Sequence, residues 1–130
     1  MEMNHKEETI FDAALKAFKD NFNTPVDYKI EATQKRLNDR TYVDKVVQIR
    51  WQNEEVRFCV EIKAHVHRAM IGQLIKLQEE LPHPVLLVVN HVGRFMADEL
   101  KKNEIEFIDT GGNAYINHPP LYVFIKGNHP

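Results

Sequence analysis

Residues 42–64 read YVDKVVQIRWQNEEVRFCVEIKA, and this stretch decides the fold. Tyr42 to Trp51 and Val56 to Ala64 are rich in β-branched and aromatic residues. The polar Gln52-Asn53-Glu54-Glu55 separates them, so the stretch predicts two strands joined as a hairpin. Side chains alternate faces along a strand, which groups Cys59, Glu61 and Lys63 on one side and Phe58, Val60 and Ile62 on the other. A polar row in mid-strand with an apolar row behind it points to a site rather than to plain exposure. With the turn centred on Asn53-Glu54, Asp44 faces Lys63 and Val46 faces Glu61. Asp44 and Glu61 are then diagonal neighbours, about 7–8 Å apart at the backbone. Two such carboxylates can reach one hard cation, Mg²⁺ or Mn²⁺. A lysine beside them offsets the charge that develops when a phosphodiester is hydrolysed.

Working outward from the hairpin, Glu7 to Phe22 predicts a helix, with Phe11, Ala14, Leu15, Phe18 and Phe22 at helical spacing and Asn23-Thr24-Pro25 as its stop. Tyr28 to Gln34 predicts a strand, and Leu37-Asn38-Asp39-Arg40 a polar turn. Beyond the hairpin, His67 to Leu81 predicts a second helix with Met70, Leu74, Leu77 and Leu81 on one stripe. The apolar run Val85 to Val89 then suits a strand covered on both faces, reached by a parallel crossover. Arg94 to Asn103 predicts a short helix and Phe107-Ile108 a strand. Gly111-Gly112-Asn113 turns the chain into a hairpin of Ala114 to Asn117 and Leu121 to Lys126. The order is αβββαβαβββ, within a single domain spanning residues 1–130.

At 130 residues and 43% hydrophobic composition the chain can bury a substantial core. No stretch approaches the ~20 apolar residues of a membrane span. The polar start, Met1 to Lys6, lacks the apolar segment of a signal peptide, and the lone Cys59 has no intramolecular disulfide partner. These features predict a cytoplasmic protein with no membrane association. Net charge is −2, but residues 26–76 hold ten Lys/Arg against seven Asp/Glu, whereas the rest holds seven against twelve. Lys29, Lys35, Arg36, Arg40, Lys45, Arg50, Arg57 and Arg68 thus accumulate around the hairpin, the clustering from which phosphate affinity arises. Lys45, Arg50, Arg57, His65 and Arg68 are the candidate nucleic-acid contacts.

Asp44 followed by Glu61-Ile62-Lys63 resembles the motif of the PD-(D/E)xK nuclease superfamily, with Val43 where the motif's proline stands. The resemblance implies a restriction-endonuclease-like α/β fold, a mixed sheet on an αβββαβ core, here extended by a C-terminal β-hairpin. It implies Asp44, Glu61 and Lys63 as catalytic residues, with Asp44 and Glu61 binding magnesium or manganese and Lys63 assisting the attacking water. Phe107 to Ile116, with its Asp109-Thr110-Gly111-Gly112-Asn113 turn, resembles the AbiEi-like antitoxin family of bacterial type IV toxin–antitoxin systems. Leu121 to Gly127 and Val60 to Lys63 extend that resemblance to roughly residues 26–127. Members of that family often carry a winged-helix DNA-binding domain beyond this region, so the resemblance implies a protein partner or a further DNA-binding domain.

Glu7, in line with Phe11, Ala14 and Phe18, is a candidate accessory acid, against the plainer reading of a charge complementing the helix dipole. Gln73 is a candidate accessory residue on the second helix, against a purely structural role. Asp109-Thr110-Gly111 has the form of an aspartic-protease loop, but a tight turn with positive φ explains it more simply. His65 and His67 could share a transition metal, though no cysteine stands near. Trp51 and Tyr42 are expected to pack rather than to stack on bases. Two functions follow: a metal-dependent nuclease acting on nucleic acid, DNA foremost, or a non-cleaving regulatory domain that binds nucleic acid or protein.

Overall fold

The computed structural model describes residues 5–21 and 25–129. Its elements run α1 (His5–Asp20), β1 (Val26–Arg36), β2 (Tyr42–Trp51), β3 (Glu54–Lys63), α2 (Met70–Glu80), β4 (Val85–Val89), α3 (Arg94–Lys102), β5 (Glu106–Asp109), β6 (Ala114–His118) and β7 (Leu121–Ile125). This is the predicted order. Phe22, Asn23 and Thr24, expected to close α1, lie outside the described residues. The second helix starts at Met70 rather than His67, because His67 and Arg68 form the turn that leads in, their carbonyls accepting from Met70 N and Ile71 N. Strand β1 is longer than its hydrophobic run, since most of its residues are exposed and their polarity hid them.

All seven strands form one mixed sheet in the order β1-β2-β3-β4-β5-β6-β7. β1 to β3 are an antiparallel meander, β3, β4 and β5 are parallel, and β5 to β7 are again antiparallel. Strands β3 to β5 can be parallel because α2 and α3 carry the chain back between them. Val85 to Val89 are buried throughout, as expected of a central strand covered on both faces. On one face α1 lies across β3, β4 and β5, burying Ile10, Phe11, Ala14, Leu15 and Phe18 against Phe58, Val60, Ile62, Leu86 and Val88. The larger of these side chains each contribute about 1.5–3 kcal/mol by leaving water. On the other face α2 and α3 bring Ile71, Leu74, Ala97 and Leu100 onto Leu87, Val89 and Phe107.

The hairpin register differs from expectation. Trp51 pairs with Glu54, so Gln52-Asn53 alone form the turn, Gln52 taking a positive φ of 51°. The shift leaves every side chain on its predicted face, because paired positions move by two. It brings Val46 opposite Cys59 instead of Glu61. The physical reason lies in Trp51: buried in the α1-side core, it prolongs β2 to its last residue and tightens the turn behind it.

The glycine-rich turn between β5 and β6 is built on Asp109, which is fully buried. Its carboxylate accepts from Gly111 N, Asn113 N, Asn113 Nδ2 and Val92 N at 2.8–2.9 Å. Gly112 adopts φ +88°, and a Cβ there would meet Asn21 Nδ2 at 2.5 Å. Asp109 is therefore the anchor that ties the β5–β6 turn to the β4–α3 loop, with no face open to a substrate.

Candidate functional site

The paired ladder between β2 and β3 ends at Lys45–Val60. Ile62 N points towards β2, where a continued ladder would offer it the carbonyl of Val43. Instead the Asp44 side chain enters the gap, and its Oδ2 accepts from Ile62 N at 2.7 Å. The register that ends at Lys45–Val60 does not lead to Asp44 opposite Lys63, and the Asp44 and Glu61 carboxyl groups lie within hydrogen-bonding reach of each other.

Their chemistry reflects that closeness. Glu61 is half-buried, and its pKa is raised to about 7, first by burial, then by the negative charge of Asp44 and a hydrogen bond with it. Lys63, two residues on and exposed, lowers it, while the charge of Glu7 on α1 adds to the rise. Near neutral pH the pair therefore holds a shared proton for a large part of the time, and a divalent cation could take that proton's place. The donor set fits a hard ion such as Mg²⁺ or Mn²⁺: two carboxylates, with waters and phosphate oxygens to complete the shell. Among the described residues no group of three or more His, Cys, Asp or Glu side chains converges on one metal position. His65 and His67 have ring centroids 6.4 Å apart, with no further ligand joining them among those residues.

The other candidates distribute unevenly. Glu7 is half-buried on the first turn of α1 and is felt electrostatically at Glu61. Gln73 is exposed on α2 and lines a cleft with Arg40, Tyr42 and Lys76. His65 and Arg68 are exposed in the loop after β3, where Arg68 lies over the ring of Phe95 and 3.9 Å from Glu99. Arg50 and Arg57 sit at the far end of the hairpin. Arg57 is about 13 Å along β3 from Glu61, and it is engaged by Glu31. Lys45 overturns its expectation as a nucleic-acid contact. It is 3% exposed, lies over the ring of Phe11 and bonds Glu8 at 2.9 Å. Its alternation with Val47, Ile49 and Trp51 was the available signal that it points inward.

Tyr42 also departs from expectation. Its ring is 59% exposed, with one side against the guanidinium of Arg36 at 5.7 Å. Trp51, by contrast, is buried as expected. A cavity of about 410 Å³ lined by Gln34, Tyr42, Val43 and Asp44 opens beside the carboxyl pair. No cue in the sequence announces it, because Gln34 has the sequence context of an ordinary strand end. Protein-family models, curated proteins and solved structures yield no match to this chain.

Proposed function

We propose that this protein is a metal-dependent phosphodiesterase acting on nucleic acid, DNA foremost, through a PD-(D/E)xK-type site on a restriction-endonuclease-like core. The observation that carries this reading is the pairing of the Asp44 and Glu61 carboxyl groups, where burial first and the Asp44 charge second raise the Glu61 pKa to about 7. The αβββαβ order with β4 parallel to β3 is consistent with it. So is the exposed Lys63 on the same face of β3.

In the reaction, the oxygen of water bonds to phosphorus, one ester P–O bond breaks, and the proton lost by water ends on the departing oxygen. A divalent ion at Asp44 and Glu61 would supply charge neutralisation at the phosphate. Ile62 N fixes Asp44 through Oδ2, and a metal would take the place of the hydrogen bond that joins Asp44 to Glu61. Glu61 must release its proton before it can ligate, so metal affinity rises as pH increases through about 7. The Lys63 ammonium orients water and offsets the negative charge of the transition state.

Cleavage of duplex, single-stranded and branched substrates in Mg²⁺ or Mn²⁺ against EDTA tests the proposal. Lys63→Ala should abolish cleavage while affinity changes little, and Asp44→Ala should remove the calorimetric heat of Mn²⁺ binding. Metal-independent cleavage, or Mn²⁺ binding unaffected by Asp44→Ala, would refute it.

One observation favours a second reading, a non-cleaving regulatory domain of the AbiEi-like antitoxin kind that binds nucleic acid or a protein partner. The carboxyl pair already satisfies itself, Asp44 through Ile62 N and Glu61 through a shared proton. Binding that weakens with salt, with no cleavage under any metal condition, would select this reading.

A further inference from the structure

We propose that the cleft running from Asp44 past Tyr42 to α2 binds one unpaired nucleotide beside the scissile phosphate, so that the substrate is single-stranded or locally splayed nucleic acid. This rests on the phosphodiesterase reading for its position, but its binding chemistry stands separately. The 410 Å³ cavity has Asp44 on its wall, and Tyr42 is shared with a second, more open cleft of about 420 Å³. That size range is usual for small-ligand sites.

Three features give the cleft its chemistry. Tyr42 is largely exposed, lines both clefts, and has the Arg36 guanidinium 5.7 Å from its ring centroid. Stacking on such a ring requires a base outside the helical stack. Gln34 lies in the left-handed region, φ 49°, within β1, a conformation a non-glycine residue adopts only when its surroundings impose it. It lines the cavity, and its amide carries both a donor and an acceptor for a base edge. Arg40 and Lys76 line the second cleft together with Gln73 and Glu80. Asn38 Oδ1 accepts from Arg40 N and Thr41 N and so fixes the loop that carries Arg40. Two cations beside an exposed ring match a phosphate next to a base.

The test is fluorescence anisotropy in EDTA, where no cleavage occurs, with a labelled single-stranded DNA, the same sequence as RNA, and a blunt duplex. Tyr42→Ala should weaken binding to the single strand about ten-fold or more, the usual loss of one stacked base. Tyr42→Trp should retain binding, and the duplex should be much less affected. Since Tyr42 is largely exposed, the variants should fold, which circular dichroism checks. Equal single-strand affinity in wild type and Tyr42→Ala, or a parallel loss on the duplex, overturns the inference. A protein that binds single strands through Tyr42 yet never cleaves upholds it and refutes phosphodiester hydrolysis instead. Cleavage with an indifferent Tyr42 does the reverse.

Discussion

The stability of this protein should fall as pH rises from about 4.5 to 7, and Glu61 should be the cause. In the fold Glu61 titrates at about 7, against an ordinary value of 4.5. Between those values the native state holds a proton that the unfolded chain releases, so the derivative of unfolding free energy with pH is negative. Below about 4.5 both states are protonated and the contribution is fully present; above about 7 both are ionised and it is lost. A shift of this size corresponds to about 3 kcal/mol, lost at roughly 1.4 kcal/mol per pH unit. Glu61→Gln keeps the shape and removes the titration. Its unfolding free energy minus that of wild type should be about 1 kcal/mol at pH 5 and should grow to about 3 kcal/mol in favour of the variant at pH 8. Urea unfolding followed by the fluorescence of Trp51, the single tryptophan, measures both proteins at pH 5, 6, 7 and 8. Millimolar Mn²⁺ should restore stability to wild type at pH 8 and leave the variant unchanged, since a ligand of the native state stabilises it by mass action. A wild-type-to-variant difference that stays flat across this range would refute the reasoning, because it would mean that burial and Asp44 do not hold the proton on Glu61.

Lys45→Met should change stability by less than about 1 kcal/mol or raise it, since Glu8 can turn to solvent and the apolar side chain fits beneath α1; the same variant should leave the salt dependence of nucleic-acid binding unaltered. Asp109→Ala should cost at least about 3 kcal/mol in urea unfolding, because it strands buried N–H donors of Val92 and Asn113. Gly112→Ala should cost about 1–3 kcal/mol through its positive φ and the approach of Asn21, again read by urea unfolding. Cleavage, if present, should increase with pH through about 7 as Glu61 ionises, measured as kcat/KM at fixed Mg²⁺.

The element order and the parallel central strands were legible because helical spacing in α1 and the unbroken apolar run of β4 each admit few alternatives. The alternation of β3 is legible in the same way, and Asp44 and Lys63 both act electrostatically on Glu61 in the fold. The register is not legible. Glu54 and Glu55 are polar enough to belong to a turn, and only the need to bury Trp51 at the end of β2 makes Glu54 its partner. Lys45 has the charge of a surface contact but the place of a core residue, in the inward-facing row with Val47, Ile49 and Trp51. The Tyr42 cleft is not legible in the sequence, and Gln34 on its wall takes a left-handed backbone that no side-chain pattern encodes. Asp109 was legible as a turn residue, but its reach to Val92 joins loops 17 residues apart and follows only from the packed fold.

The strict succession of neighbouring strands has a kinetic consequence. Each strand can add to its predecessor as it is made, by short hairpin closures in β1–β3 and β5–β7 and by longer helical crossovers between β3, β4 and β5. Helix α1 is the exception. Made before β3, β4 and β5, it has those strands as its docking surface, and the last of them ends at Asp109. At ordinary translation rates its Phe11, Leu15 and Phe18 stripe waits several seconds for that platform. The N-terminal helix is thus the segment most exposed to chaperones and to aggregation during biogenesis, and truncated nascent chains ending before β5 should be the species that bind them.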